Sequence, residues 1–315
     1  MRKMRIAIYK DTLANRRGAD VAVVGLAEGL RERGHDAVLF EKDELAARLA
    51  ERWDVFVSTG TNELLDISRA GYRGAPVVQQ FHTNPSGQFK RKRIFRNWKI
   101  RRALRGVAAI QVLREDFVPQ VARYCPRVEV IGNWSIYDGR RRETDTGTSS
   151  GNVIVYPAAL GKGKNQRLLV DAFSLLERDF PDWTVELYGK GTLPFRLPES
   201  VRLMGYRDLE EVYPRCAFLA FPSIDEGFGL AISDAAAFGL PAVLVNDWIG
   251  TASAGGALVV APDARSYAEG LRRLMEDGTL RRSMGAKARL FCSQRYSRSA
   301  ILDRWERLFG DITAA

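Results

Sequence analysis

The stretch "AFLAFPSIDEGFGLAISDAAAFGLPAVLVN", residues 217–246, joins two apolar runs through a glycine-bearing turn and an alanine-rich segment. AFLAFPS reads as a buried strand and GLAISDAAAF as a helix. Gly239 followed by Pro241 supplies the stop, a residue tolerant of positive φ and then one that cannot continue a helix. Residues 222–230 are therefore a strand-to-helix turn at the carboxyl end of a strand. Glycines there let backbone N–H groups face a ligand, and the helix amino end adds partial positive charge, so the turn suits an anion such as phosphate. Glu226 stands at the rim, where it can bond hydroxyl groups. Asp234, one turn into the helix, is placed to accept from a vicinal diol. Two acids near a helix amino end are also favourable for that reason alone, by under ~1 kcal/mol each.

The same alternation extends in both directions. RIAIY (5–9), DAVLFE, DVFVST, APVVQQF, GVAAIQVL and VEVIGN read as strands, with helices between them, including 19–34 and a basic one over about 90–105. The polar stretch YDGRRRETDTGTSSGN interrupts the pattern. It restarts with NVIVYPA, a helix over 164–178, WTVELYG, VRLMG, a helix near 208–214, AFLAFPS, a helix over 229–238, PAVLVN and ALVVA. Helices over about 264–276, 279–294 and 299–309 close the chain. Strands apolar nearly throughout and separated by helices indicate parallel sheets covered on both faces. The expected class is α/β: two doubly wound Rossmann-like domains facing each other across an inter-domain cleft, where ligands bind in such sheets. The expected boundaries are 1–136, a linker over 137–151, 152–297, and a terminal helix at 298–315 returning to the first domain.

Composition narrows the function. Of 315 residues, 1–150 hold 28 Lys and Arg against 18 Asp and Glu, whereas 151–315 hold 20 of each, so the whole net charge of +10 lies in the first half. Three cysteines far apart suit a reducing compartment, and with two histidines they give no basis for a metal centre. No apolar run approaches the ~20 residues of a membrane span. The opening MRKMRIAIYKDT has too short an apolar stretch for a secretory leader. A cytoplasmic protein is expected, peripheral on the inner face of a membrane.

Spaced segments along nearly the whole chain resemble the retaining glycosyltransferases of the GT-B fold, family 4 type (glycosyl transferases group 1). "EGFG" with Asp234 is similar to their acid-x7-acid motif. "RRGADVAVVGLAEGLRERGHDAVLF" is similar to their amino-terminal glycine-rich turn and helix, and "VEVIGN" to the strand closing the first domain. "YPAALGKGKNQRLLVDAFSLL", "VELYGKG" and "VRLMGY" are similar to the Lys-bearing turn and the elements after it. The resemblance implies a nucleotide-diphosphate sugar, UDP- or GDP-linked, as co-substrate and no cofactor or metal. Glu226 would bind hydroxyls of the transferred sugar, the backbone of Phe228, Gly229 and Leu230 the diphosphate, and Asp234 the ribose. Lys164, with Lys162 as competitor, would neutralise the leaving diphosphate. Gly18 matches the loop approaching that diphosphate, and His82 a histidine near the reacting carbon; His35 matches a structural position, and Lys190 lies near the site. Retaining transfer, with a donor phosphate oxygen taking the acceptor proton, is the implied mechanism.

Three positions depart from the family pattern. The second acid is Asp rather than Glu, shorter by about one C–C bond, ~1.5 Å. Ala159 stands where an Arg is usual, and Arg17 replaces a glycine and could bring a compensating charge.

The segment KRKRIFRNWKIRRALR (90–105) carries nine cations, and no acid occurs between Asp66 and Glu115. Ile94, Phe95 and Trp98 cluster on one side at helical spacing, roughly opposite Ile100, Ala103 and Leu104. One side is expected to pack on the sheet while Lys90, Arg91, Lys92, Arg93 and Arg96 form a patch for an anionic membrane surface or a saccharide or lipid-linked acceptor. A merely solvated cationic face is the alternative. Nucleic acid is not expected, since no recognisable binding module accompanies the charge.

Overall fold

The computed structural model describes residues 2–13, 18–89, 93–139, 151–161 and 163–314. Arg17, Lys90, Arg91, Lys92, Lys162 and most of the 137–151 linker lie outside the described residues. The chain divides into two compact units, Met1–Trp134 with Arg298–Ala315, and Ser135–Ser297.

The first unit holds β1 (Arg5–Tyr9), α1 (Gly18–Glu32), β2 (Asp36–Phe40), α2 (Leu45–Leu49), β3 (Val55–Ser58), α3 (Thr61–Arg69), β4 (Val77–Gln80), α4 (Ile94–Leu104), β5 (Ala109–Val112), α5 (Val118–Val121) and β6 (Val128–Val130). Its six strands are all parallel, in the order β2-β1-β3-β4-β5-β6. Val55, Phe56 and Val57 are wholly buried on both faces of β3, which a parallel sheet requires and an alternating strand would not give. In α1, Val23, Leu26, Ala27 and Leu30 are buried at i, i+3, i+4 and i+7, the stripe of a one-sided helix.

The last helix, α10 (Arg298–Ala314), belongs to this first unit although the second intervenes in sequence. It buries Ile301, Leu302, Trp305, Leu308 and Phe309, each contributing about 1.5–3 kcal/mol. Arg33 bonds Asp303 at 2.5 Å, and Arg298 pairs with Glu32. His35 is part of the same joint. Its Nδ1 accepts from the Met4 amide at 3.2 Å, so the ring proton is on Nε2, which donates to Glu306 at 3.0 Å.

The second unit repeats the plan with β7 (Val153–Pro157), α6 (Gln166–Ser174), β8 (Thr184–Tyr188), β9 (Val201–Gly205), β10 (Phe218–Phe221), α7 (Leu230–Ala237), β11 (Ala242–Leu244), β12 (Ala257–Val259), α8 (Ala264–Glu276) and α9 (Gly278–Arg295). Its parallel order is β12-β11-β10-β7-β8-β9. The helix expected near 208–214 is instead a set of turns ending in a single 3-10 turn, Tyr213–Arg215. Asp208 accepts from the Glu210 amide, and Pro214 has no amide to continue a helix. Similarly α6 begins only at Gln166, because Asn165 takes a left-handed conformation with φ of 56°.

Connections from β7 run toward β8 and β9 on one side, whereas β10, β11 and β12 lie on the other. The loops after β7 and β10 therefore part from each other at the carboxyl edge of the sheet, the place where such sheets bind ligands.

Candidate functional site

The loop after β7 carries Lys164 and the loop after β10 carries Glu226. The carbonyl of Gly163 accepts from the Ile224 amide at 3.0 Å and so ties the two loops together. Lys164 Nζ forms an ion pair with Glu226 Oε1, both side chains being largely sheltered. Ser223 Oγ lies 2.6 Å from the same oxygen. Tyr156, at the end of β7, donates its hydroxyl to the Lys164 carbonyl at 3.1 Å. Burial, with the Glu226 charge beside it, raises that phenol far above its ordinary pKa, so it remains a donor. Two residues 62 positions apart thus meet as a positioned cation and carboxylate.

The loop after β8 closes in from the other side. A Cβ on Gly189 would stand 2.0 Å from the Ala158 carbonyl oxygen, so only glycine allows this approach. The Lys190 carbonyl accepts from the Leu160 amide at 2.9 Å, and the Lys190 ammonium lies 4.9 Å from the Tyr206 ring centroid. The position of Ala159 brings no charge, and its carbonyl accepts from Gln166 at 2.9 Å.

Gly229 caps the amino end of α7 with φ of 101°, a conformation that favours glycine. Phe228 is buried edge-on against Tyr296, ring centroids 5.0 Å apart, which fixes the backbone entering the helix. The Leu230 and Ala231 amides open the first turn of α7 and carry its dipole, the Ile232 amide being taken by the Gly229 carbonyl at 2.9 Å.

Asp234 is otherwise engaged than as a waiting diol acceptor. Its Oδ1 accepts from Ser135 Oγ at 2.7 Å and the carboxylate also takes the Ile136 amide. Burial outweighs these bonds and lifts its pKa to about 7. Ser135 Oγ in turn accepts from the Tyr137 amide at 3.0 Å, and Tyr137 donates to Asp208 at 2.8 Å. A cavity of about 210 Å³ opens beside this segment, lined by Ser135, Ser233, Arg289, Cys292 and Tyr296 among others.

The remaining candidates are in the first unit. His82 follows β4, and both ring nitrogens are shut from solvent without a hydrogen-bond partner among the described residues. Burial, with Lys10 nearby, depresses its pKa to about 3, so the imidazole is neutral. Lys10 pairs with the buried Glu63 at 3.2 Å, which also accepts from the Asp11 amide at 3.1 Å. Gly18 is the first residue of α1, and Arg93 and Arg96 stand at the start of α4. Lys164, Glu226, the Phe228–Leu230 backbone and Asp234 are brought into one unit; His82, Gly18, Arg93 and Arg96 are in the other. The supports of the site, Ser223, Tyr156, Ser135 and Glu63, were not legible, since their roles depend on strand order and not on any local pattern.

Among the described residues, no group of three or more His, Cys, Asp or Glu is spaced to hold a metal, and no helix is long and apolar enough to cross a membrane.

Two parallel six-stranded sheets with a charged pair and a helix amino end at a switch point define the architecture: the chain has the GT-B fold of glycosyltransferases. Residues 151–277, which contain Lys164, Glu226 and Asp234, match the glycosyl transferases group 1 family. HepE of Anabaena, crystallised with UDP and glucose, superposes with a TM-score of 0.79 at 16% identity over 98% of this chain and 100% of its own. An exopolysaccharide phosphotransferase of Streptomyces coelicolor is 30% identical over 210 residues, 62% of this chain and 22% of its own length. A 4-alpha-N-acetylgalactosaminyltransferase of Campylobacter jejuni acting on a diphospho-undecaprenol-linked saccharide is 29% identical over 151 residues, 43% of this chain and 40% of its own. The chain thus spans less than half the length of these two relatives.

Proposed function

We propose that this protein is a retaining, metal-independent glycosyltransferase. It moves a sugar from a UDP- or GDP-linked donor onto a saccharide or lipid-linked acceptor in cell-envelope glycan synthesis, at the inner membrane face. The observation that carries this reading is the meeting of Lys164 and Glu226 beside the amino end of α7. The match over 151–277 and the alpha-forming Campylobacter relative support it.

The chemistry follows from the charges. The bond from the anomeric carbon to the diphosphate breaks, and the electron pair leaves on the phosphate. Fixed donors aimed at that developing charge are the largest catalytic contribution available. The Phe228–Leu230 amides and Lys164 supply it. Glu226 turns from Lys164 to hydroxyls of the departing sugar, with Ser223 bonded to the oxygen that Lys164 releases. The acceptor oxygen attaches on the face the diphosphate leaves, and its proton passes to a donor phosphate oxygen. His82, neutral in its own unit, is a hydrogen-bond partner and not a fixed cation.

Ala159 and the engagement of Asp234 with Ser135 favour one second reading, a nucleotide-sugar-binding protein with weak turnover. Transfer and slow donor hydrolysis by wild type and Glu226→Ala separate the two. Turnover lost in the variant with its melting temperature kept is expected; full activity in Glu226→Ala defeats the assignment. Thermal stabilisation across UDP-, GDP- and ADP-linked sugars identifies the donor.

A further inference from the structure

Helix α4 shows two unlike faces. Its inner face buries Asn97, Ile100, Ala103 and Leu104. On the outside, Ile94, Phe95 and Trp98 are 74%, 84% and 57% exposed, beside the cations of the same helix. Sheltering three such side chains would stabilise the fold, so their exposure together is a feature to be explained.

Phe95 also lines a cavity of about 350 Å³ between α3 and α4, within the usual range for small-molecule sites. Its wall holds four cations, Lys42, Arg69, Arg96 and Lys99, against two acids, Asp11 and Asp66. Asp66 is already occupied by Lys42 at 3.2 Å, Arg69 at 3.0 Å and the Tyr9 hydroxyl at 3.2 Å. Arg96 is oriented by neutral acceptors, Asn62 at 2.8 Å and Thr61 at 3.1 Å. Burial and the neighbouring Arg93 lower its pKa, the mark of a cation lacking compensation. A guanidinium held in place and partly desolvated gains most from a phosphate or diphosphate, which it bonds through charge-assisted contacts. The cavity also lies at the carboxyl ends of β1, β2, β3 and β4, since Asp11, Lys42, Asn62 and α4 follow those strands, the usual ligand edge of such a sheet.

We propose that this groove seats the head of a lipid-linked diphosphate acceptor, the diphosphate lying on Arg96, Lys99, Lys42 and Arg69 and the first hydrocarbon units on Phe95, Ile94 and Trp98. The juxtaposition selects an amphiphile: a saccharide without phosphate leaves Arg96 uncompensated, and an inorganic anion leaves the three apolar side chains in water. This assignment rests on the glycosyltransferase reading and names its acceptor class.

The test uses the full chain and vesicles of phosphatidylcholine alone, with undecaprenyl diphosphate, or with phosphatidylglycerol at matched charge. Sedimentation with the diphosphate vesicles is expected to exceed that with either of the others by at least about tenfold. The double variant Arg96→Gln/Lys99→Gln is expected to remove that preference, and Phe95→Ser/Trp98→Ser to remove vesicle binding. The charge-matched control Arg178→Gln/Arg273→Gln, in the second unit, keeps both. Melting temperatures within the wild-type range certify folding of each variant, and all four substituted α4 residues but Arg96 are exposed. Equal sedimentation with phosphatidylglycerol overturns the proposal in favour of plain adhesion to an anionic bilayer. Equal binding by the control and the Arg96→Gln/Lys99→Gln variant overturns it as well. Donor hydrolysis without any vesicle is measured in parallel: its absence from wild type sinks the glycosyltransferase reading, whatever the vesicles show.

Discussion

Replacing Asp234 by Asn turns the half-buried carboxylate of α7 into a direct test of the site's electrostatics. Asp234 has a pKa of about 7 in the folded chain, against 3.8 ordinarily. The folded value is the higher one, so the stability it carries is fully present below about pH 4 and is lost as the pH rises toward 7. At ~1.36 kcal/mol per pH unit the ionised carboxylate costs about 4 kcal/mol above pH 7. Asparagine keeps an acceptor for Ser135 and the Ile136 amide and does not titrate. The variant should therefore match wild type within ~1 kcal/mol at pH 4 and exceed it by roughly 2–4 kcal/mol at pH 8. For a unit of this size that corresponds to about 4–16 °C in melting temperature. Calorimetry across pH 4–8 reads it. A gap between variant and wild type that stays constant with pH refutes the burial argument, and a variant that is less stable at pH 8 reverses it.

Other outcomes follow from the same geometry. His82→Leu should be relatively more stable than wild type at pH 5 than at pH 8, by ~2 kcal/mol. The folded pKa of about 3 lies below the ordinary 6.5, and stability drains as the pH falls between them; urea melts at the two pH values read this. Lys164→Met should lower the turnover number for transfer by about 10²–10³-fold, as removal of a donor aimed at developing charge does, and a kcat unchanged in steady-state kinetics contradicts it. Gly189→Ala must push its Cβ off the Ala158 oxygen 2.0 Å away; a loss of roughly 1–3 kcal/mol is expected, read as a lower melting temperature.

The sequence carried the alternation of strands and helices because burial on both faces writes continuous apolar runs such as VFVS and AFLAF. It carried the α7 turn because glycine at 229 and the proline after Gly239 mark both ends. The Lys164–Glu226 pair was legible only through the resemblance, since no local rule joins residues on loops after β7 and β10. The hydrogen bond from Ser135 to Asp234 was not legible: Asp234 reads as a diol acceptor one turn into the helix, and only the chain path brings Ser135 over it. In α4 the pattern named Ile94, Phe95 and Trp98 as one cluster, but two apolar sides on one helix do not say which is buried. The sheet settles that by taking Ile100, Ala103 and Leu104. The helix drawn near 208–214 failed because side-chain bonds from Asp208 and a proline at 214 hold the segment as turns.

The central claim is that the edge of the second sheet holds a diphosphate as a sugar leaves it. A crystal structure with an intact or hydrolysed nucleotide sugar tests this most directly. The account expects diphosphate oxygens at hydrogen-bonding distance, ~3 Å, from the Gly229 and Leu230 amides and from Lys164 Nζ, with Glu226 turned onto sugar hydroxyls. A nucleotide bound elsewhere on the chain, with the Lys164–Glu226 pair undisturbed, contradicts it.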